Sequence, residues 1–596
     1  MMRCRLLAAL LFTLCVVPAL ADGLFADRVL VNGRILTVDA VDSIAEAVAI
    51  RDGKIAAIGS NEEILALLGP KTDHIDLQGL TATPGLLDSH VHFSSGGLLR
   101  LSNLDLSFPK VRNIEDVVAA VRRRVAISES QKWILGRGWD EGKLAERRYI
   151  QASDIDPVTD NHPAWLAHTM GHYGVANSLS LALAGITRAT PDPPGGVIDR
   201  DVNGNATGVL KETAMALVTR HIPPASAAQM REGIRTMVQA FNRECMTGAK
   251  DPGIGPGLGY DIESSKLAWD AYQDVLAEGA LTVRVFALWP TPDTLGEAKA
   301  LIRRIAPISR PYESTGNDRL ISGGVKLFAD GSGGARTAWV WKDWNKDGTG
   351  IDEGNRGYPA IDADLLRQMI LLYHDAGLHM GVHAIGDRAI DWVVAAFALA
   401  LIHNPQYGLR HSIIHATFPT ELAMNTMVAL QNKFDAGYPE PQAAFTWWIG
   451  DTHAGNFGPE RSLRLNPFRT YLAKGIRWGG GSDFSATPYP ARYGIWSSMA
   501  RQPALGVYGF DAFGQDETID ARTALRSFTL WAAHQMFLDD KTGSIEVGKY
   551  ADIAVWNADL YSAPLDAIKN LECQLTLLQG DVVYRAPDSL VTVGGS

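Results

Sequence analysis

The amino-acid sequence predicts an α/β fold built around a barrel of eight parallel strands. Three observations predict it. Eight short apolar segments recur after residue 80, amphipathic helices separate several of them, and β-rich segments flank this region at both ends. Alternating strands and helices favour a parallel sheet, and eight such units favour a closed (β/α)8 barrel.

The size and composition of the chain are typical of a globular protein. It has 596 residues, of which 46% are hydrophobic and 20% charged, which excludes a mainly disordered, collagen-like or coiled-coil state. The net charge is -11. An acidic surface disfavours nucleic acid and anionic membranes as partners, so we expect a small-molecule partner. The sequence does not predict the oligomeric state.

The first 21 residues have the pattern of a signal peptide. Arg3 and Arg5 precede an apolar run over residues 6–17, and residues 19–21 read Ala-Leu-Ala, a small-residue cleavage site. The run is short for a membrane span, although an uncleaved anchor is the alternative. We therefore expect an exported protein, periplasmic or secreted, whose mature chain begins near Asp22 and leaves the membrane after cleavage.

Few cysteines remain in the expected mature chain. Of Cys4, Cys15, Cys245 and Cys573, only the last two follow the cleavage site. Two cysteines in a chain of this length do not make a disulfide framework. The sequence contains no CxxC pair, so it does not predict a zinc site with thiolate ligands.

The predicted barrel spans residues 84–534 and carries an insertion. Its eight strands are predicted over residues 80–93, 245–253, 281–290, 321–331, 378–387, 410–416, 433–442 and 476–483, with clear helices over 362–376 and 387–403. The connection between the first and second predicted strands is too long to be a single crossover helix. Residues 97–240 therefore predict an inserted subdomain, with a helix over 114–127 and a hairpin turn at Asn203-Gly204.

Both ends of the chain predict β-structure. Hairpin turns are expected at Asn32-Gly33, Asp52-Gly53 and Gly580-Asp581, each between apolar strands. We expect residues 22–83 and 535–596 to pair into one composite β-sandwich.

A His-x-His pair, His90 and His92, lies within the first predicted strand, near its carboxyl end. Residues i and i+2 of a strand point to one face, which in a barrel is the interior, and the carboxyl end of a strand is the active-site end. Two imidazoles there can hold a divalent metal. The alternative is a pair of hydrogen-bonded core imidazoles.

Three more polar residues end predicted strands. His383, His415 and Asp483 close the fifth, sixth and eighth segments. Imidazoles and a carboxylate that converge on one end of a barrel are costly to bury without partners, and a metal would pair them all. These donors suit zinc first, with manganese, iron or nickel as alternatives.

Lys326 lies inside the apolar segment GGVKLFADG. One interpretation is a lysine that extends to solvent or pairs with Asp330. The other is a lysine carboxylated by carbon dioxide, whose anionic oxygens could bridge two metals.

The motifs PGLLDSHVHF, VKLFADGSGGARTA, GVHAIGDRAID, SIIHA and GGSDF together resemble the amidohydrolase superfamily, and most of all its amidohydrolase-3 branch, which includes N-substituted formamide deformylases. The resemblance implies a distorted TIM (β/α)8 barrel with a composite β-sandwich from both termini. It also implies one or two divalent metal ions on His90, His92, His383 and His415, with a carboxylated Lys326 as bridge and Asp483 as a ligand and the catalytic aspartate.

The chemistry implied is hydrolysis of an amide-type, non-peptide carbon–nitrogen bond, with Asp483 passing a proton from water to the leaving nitrogen. Alternatives within the superfamily are a cyclic amide, a lactone or an aminated ring as substrate. An exported binding or regulatory protein without turnover is the alternative outside it.

Four residues are candidates for substrate binding. His172 resembles a family histidine near the substrate, although Met170 stands where an aspartate is common. Arg336 is a candidate contact for an anionic group, with a structural salt bridge as alternative. Trp447 and Trp448 predict either an aromatic acyl pocket or loop packing.

Overall fold

Seven parallel strands form the central sheet of the computed structural model, which describes residues 25–255, 262–313, 318–345 and 354–594. Each strand pairs with the next one along the chain, so that the first and the last lie at the edges. In chain order the strands are β1 (Leu86–Asp88), β2 (Met246–Asp251), β3 (Arg284–Pro290), β4 (Leu320–Phe328), β5 (His379–Ala384), β6 (Ser412–His415) and β7 (Tyr438–Glu440).

The predicted eighth strand does not form as a strand, yet residues 476–483 occupy its place. The Gly479 N–H donates to the Pro439 carbonyl at 3.3 Å beside β7, and the Gly480 carbonyl accepts from Ser89 at 3.0 Å, just beyond β1. The segment thus connects both edges of the curled sheet, which is consistent with the predicted distorted barrel.

The predicted first strand, residues 80–93, is also wrong in extent. It divides into Thr81–Pro84, which joins a terminal sheet, and β1, which joins the central sheet. Gly85 separates the two, where a Cβ would lie 2.2 Å from the Thr247 hydroxyl oxygen. Such close packing leaves no room for a side chain at the point where the chain passes from one sheet to the other.

Helices pack against the central strands, and the largest hydrophobic cluster contains buried residues from both the strands and the helices. The predictions over 362–376 and 387–403 are confirmed, and the first of these helices begins where the Asp362 side chain accepts from the Leu365 N–H. The helices of this region are Phe93–Ser102, Ala227–Asn242, Ile262–Ala277, Leu295–Ile305, Ala363–Asp375, Asp387–His403, Glu421–Phe434, Phe445–Trp448, Gly450–Phe457, Pro459–Ser462, Phe468–Lys474, Ala491–Ala500, Ala521–Ser527 and Leu530–Gln535.

A separate six-stranded sheet lies between β1 and β2, within the predicted insertion. Its strand order is Gly196–Arg200, Ala206–Glu212, Tyr173–Ala176, Ala164–His168, Ile134–Trp139 and Leu104–Asp105. The first two pair antiparallel around Asn203-Gly204, which confirms that hairpin. Its helices are Ile114–Val125, Ala152–Thr159, Ser178–Leu183 and Ala216–Thr219. The domain boundaries themselves stay predictions.

Two further sheets each combine strands from both ends of the chain. One has the order Thr592–Gly594, Asp73–Asp76, Arg28–Val31, Ala47–Arg51 and Lys54–Gly59; the other has Asp581–Arg585, Cys573–Leu578, Ile553–Trp556, Thr81–Pro84, Arg34–Leu36 and Ile44–Ala45. One hydrophobic cluster contains residues of both sheets. The composite sandwich itself stays a prediction.

The terminal hairpin predictions have mixed outcomes. The hairpin at Asp52-Gly53 is confirmed. The hairpin predicted at Gly580-Asp581 also forms, but its turn consists of Gln579 and Gly580. The prediction at Asn32-Gly33 is wrong, because the flanking strands belong to different sheets and do not pair. A Cβ on Gly33 would lie 2.4 Å from the Leu77 side chain, so glycine is needed there for packing between strands. Short helices, Asn61–Leu65 and Leu565–Ile568, complete these regions.

A disulfide joins Cys245 to Cys573, with 5.4 Å between the two Cα atoms. It connects the residue before β2 to a strand of the six-stranded terminal sheet. The sequence does not predict this pairing, because a separation of 328 positions gives no local signal.

The predicted signal peptide lies outside the described residues. Among the residues that are described, no helix combines the length and the apolar character that a membrane crossing requires.

Candidate metal centre

Asp88, the last residue of β1, shapes the loop that carries the His-x-His pair. Its buried Oδ1 accepts from the backbone N–H groups of His90 and Ser482, each at 3.0 Å. The prediction that His90 and His92 lie on a strand is wrong: both follow β1 in this loop, and His92 immediately precedes the helix Phe93–Ser102. The hydrogen bonds of Asp88, rather than a strand pleat, orient the loop.

The predicted metal ligands lie together in what we call the central cluster, defined as His90, His92, Lys326, His383, His415 and Asp483. The Nε2 atoms of His90 and His92 each lie 3.3 Å from Asp483 Oδ1. The rings of His90 and His415 are 5.1 Å apart, and those of His383 and His415 are 4.5 Å apart. Ligand atoms of His90, His415 and Asp483 all lie within 4.8 Å of one another.

Hydrogen bonds outside the cluster orient two of its imidazoles. His415 Nδ1 lies 2.6 Å from Gln442 Oε1, to which it donates, so its Nε2 is left for a metal. His383 Nε2 donates to the Gly331 carbonyl at 2.9 Å, so its Nδ1 is left. Such partners fix the tautomer of a metal-binding histidine and its ring direction.

Lys326 lies near the carboxyl end of β4, 1% exposed. Burial lowers its pKa to about 7, and its charge helps to lower the pKa of His90, His383 and His415. The alternative ion pair with Asp330 does not form in the described chain. Instead, the Asp330 carboxylate accepts from the backbone N–H groups of Trp339, Ile385 and Gly386.

The protonation of the cluster fits a divalent metal. Burial holds the pKa of His90 and His383 well below the usual value and lowers that of His415 to about 3, so these imidazoles are neutral. Burial alone would raise the pKa of Asp483, but its contacts with His90 and His92 outweigh this and hold it well below the usual value. Both ring nitrogens of His90 are buried without a well-formed hydrogen bond. Neutral imidazoles and an ionised carboxylate are the donors that zinc binds.

A small pocket opens beside the cluster. It is lined by Met170, His172, Ser332, Gly333, Ile385, His415, Phe445, His453 and Asp483. His172 therefore lies where a substrate would bind. Its Nδ1 is 2.9 Å from Glu212 Oε2, and this carboxylate raises the pKa of His172 although burial opposes it.

The other three candidate substrate residues do not line this pocket. Arg336 is buried, and its side chain lies beside Tyr149. Trp447 packs against Trp448, Tyr493 and Trp496 at ring separations of 5.1–5.6 Å. Trp448 packs with Met170 and Phe445, which do line the pocket, and its ring lies 3.8 Å from Lys143 Nζ.

Sequence reasoning missed four residues that contact the site: Asp88, Glu212, Gln442 and His453. A signal existed for Gln442, since it ends the seventh predicted strand at the same edge as the ligands. Asp88 also stood within the quoted DSHVH motif without a role. Glu212 comes from the inserted subdomain, where nothing local distinguishes it.

This fold and this cluster define a hydrolase of the amidohydrolase type. The profile of the amidohydrolase family matches residues 73–584, and the chain belongs to that family. It is 28% identical over 540 residues to the putative amidohydrolase YtcJ of Bacillus subtilis, which covers 90% of this chain and 96% of that protein.

Two further comparisons agree with this family assignment. Identity to the N-substituted formamide deformylase of Arthrobacter pascens is 26% over 577 residues, 94% of this chain and 99% of that protein. An uncharacterised metal-dependent hydrolase from Pyrococcus horikoshii shares the fold, with a TM-score of 0.67 at 22% identity over 90% of this chain and 99% of that one. The resemblance stated from the sequence motifs is confirmed, and the protein is an amidohydrolase.

Proposed function

We propose that this amidohydrolase cleaves a non-peptide amide bond with the help of one or two divalent metal ions, zinc first among them. The observation that carries the proposal is the convergence of four imidazoles and the Asp483 carboxylate in one cluster beside the pocket. Imidazoles from one loop and two strands, around an ionised carboxylate, are hard to explain as packing.

The ligand roles follow from the donors. A divalent metal in such a site lowers the pKa of water and polarises a carbonyl oxygen. His90, His92, His383 and His415 would hold it through their free ring nitrogens. Lys326, neutral enough near pH 7 to react with carbon dioxide, would supply an anionic bridge for a second ion once carboxylated.

Asp483 is the proposed proton carrier. Its carboxylate is ionised and lines the pocket, so it can accept the proton of an attacking water and pass it to the leaving nitrogen. His172, whose Nδ1 contacts Glu212, also lines the pocket and would donate a hydrogen bond to the substrate from its other ring nitrogen.

The pocket favours a substrate with a compact apolar group next to the amide. Met170, Ile385 and Phe445 give it apolar walls between the polar residues. The named activity of the formamide deformylase from Arthrobacter pascens supports an N-substituted amide. A cyclic amide, a lactone or an aminated ring remains the alternative within the same chemistry.

We also propose that the protein works outside the cytoplasm. The signal-peptide pattern of residues 1–21 is one support, and the Cys245–Cys573 disulfide is the other, since disulfides persist in oxidising compartments.

Metal analysis joined to a hydrolysis panel tests the proposed reaction. We expect purified protein to hold one or two divalent ions and to hydrolyse N-acyl amines faster than lactones or aminated rings. His90→Ala should lose metal and activity with its fold retained. Lys326→Ala should lose metal and rate together, and short carboxylic acids should restore part of both by replacing the oxygen ligand.

Asp483→Asn separates proton transfer from metal binding. Asparagine keeps an oxygen donor, so much of the metal should stay, but the rate should fall about 100- to 10,000-fold because proton transfer is lost. Equal metal loss in Asp483→Asn and Lys326→Ala would make Asp483 chiefly a ligand. Full metal content and turnover in His90→Ala would contradict the site.

A further inference from the structure

Arg137 is a part-buried basic residue of the inserted sheet, linked to the pocket through Thr169, the residue before Met170. It belongs to the strand Ile134–Trp139 of the inserted sheet and is part-buried. Its Nε is buried without a hydrogen-bond partner, and its Nη2 donates to the Thr169 carbonyl at 3.1 Å. Within the described residues, no carboxylate forms an ion pair with Arg137.

The contacts of Thr169 place Arg137 at the junction of the inserted sheet and the active site. Thr169 precedes Met170, which lines the pocket, and its hydroxyl donates to the Ala486 carbonyl at 2.8 Å, in the loop that follows Asp483. The charge of Asp483 acts on the guanidinium, opposing burial, which lowers the pKa of Arg137 to about 10. The two groups therefore lie near each other without a direct contact.

Other basic side chains of this region have partners. Lys143 lies 3.6 Å from Asp140 and covers the Trp448 ring, and Arg336 lies beside Tyr149. Asp483, whose charge acts on Arg137, is already in contact with His90 and His92.

A sheltered guanidinium without a counter-ion is costly, and its planar fork of donors matches a carboxylate. We propose that Arg137 binds a carboxylate on the distal part of the substrate, so that the enzyme prefers amides that carry an acidic group. This rests on the proposed amide hydrolysis at Asp483. Arg137, and not Arg336 as the sequence suggested, is then the residue that contacts an anionic group of the substrate.

Matched substrate pairs test the proposal on the metal-loaded enzyme. The panel is a series of N-acetyl ω-amino acids of increasing chain length, each paired with the N-acetyl amino alcohol of the same length. We expect kcat/KM to favour the acid of the best-fitting length. Arg137→Met should lower kcat/KM for that acid about 10- to 100-fold, the effect of losing a hydrogen bond between charged groups, and leave its alcohol unchanged.

Two variants serve as controls. Arg137→Lys keeps the charge but not the fork, so it should retain part of the preference for acids. Arg148→Met removes an exposed arginine of the same subdomain, paired with Asp154 at 2.8 Å, and should leave the preference intact. The melting temperature of each variant shows whether the fold is retained.

A binding measurement keeps this test separate from that of the reaction. If no pair is hydrolysed, the proposed reaction is wrong, while calorimetric titration of the same acids and alcohols still tests Arg137. A wild-type preference for acids that Arg137→Met abolishes supports the proposal. Equal affinity for acids and alcohols in the wild type, or full acid preference in Arg137→Met, would overturn it.

Discussion

Gln442 lies outside the central cluster and orients one of its proposed metal ligands, His415. Its Oε1 accepts from His415 Nδ1, and its Nε2 donates to the Glu440 carbonyl at 2.7 Å, so the amide cannot turn over without losing both bonds. The imidazole is thereby held as the tautomer whose Nε2 faces the central cluster.

We predict that Gln442→Leu lowers metal affinity about 10- to 100-fold, because leucine keeps the volume but offers no acceptor to His415. Titration against a chelator of known affinity measures this. Gln431→Leu, on the helix Glu421–Phe434, is the matched control and should bind metal as the wild type does. Unchanged affinity in Gln442→Leu would show that His415 needs no such partner.

At the residue scale the sequence predicted which side chains converge but not how they are held. His90, His92, His383, His415 and Asp483 could be found because each follows an apolar segment of one fold class. Asp88 and Glu212 act through contacts between distant parts of the chain, and no spacing reveals such contacts.

At the scale of elements, residues 476–483 are the part of the barrel most distorted from the predicted pattern. Gly479 and Gly481 pass so close to the loop after β1, and Gly480 so close to the Phe528 ring, that side chains do not fit. A Cβ on Gly481 would lie 2.8 Å from the His90 backbone nitrogen. The sequence showed an apolar segment that ends in a polar residue. In the structure this segment packs closely against the loop after β1 instead of forming a regular strand, and the sequence gives no sign of that contact.

We predict that Gly481→Ala destabilises the fold by about 1–3 kcal/mol and weakens metal binding, since the added methyl must displace either His90 or Asp483. Denaturant unfolding and metal content measure the two effects. Gly296→Ala, in the helix Leu295–Ile305 with open space around the added methyl, should cause neither. Wild-type metal content in Gly481→Ala would mean that the two backbones can separate without cost.

At the scale of the whole molecule, the disulfide joins the start of β2 to the sheet completed by the end of the chain. A cross-link that closes so long a loop restricts the unfolded chain more than the folded one. It keeps a strand of the terminal sheet connected to the start of the central sheet in the unfolded chain as well.

We predict that exported protein begins near Asp22, contains the Cys245–Cys573 bond, and is more stable by about 2–4 kcal/mol than the Cys245→Ser variant. Mass spectrometry of the intact and digested protein tests the first two statements, and unfolding with and without reductant tests the third. Cys573→Ser should match Cys245→Ser. A reductant effect as large in these variants as in the wild type, or a chain that begins at Met1, would count against this prediction.

The hydrogen bonds that the backbone N–H groups of His90 and Ser482 donate to Asp88 carry a consequence for how the protein matures. They bring together positions 394 apart, so the loop of the first histidines and the segment before Asp483 take shape only when nearly all of the chain is present. A chain that crosses a membrane unfolded would therefore arrive without its metal. On the proposed export route, the ion that fills the site would be selected by its abundance at the destination, and not by the supply in the compartment where the chain is made.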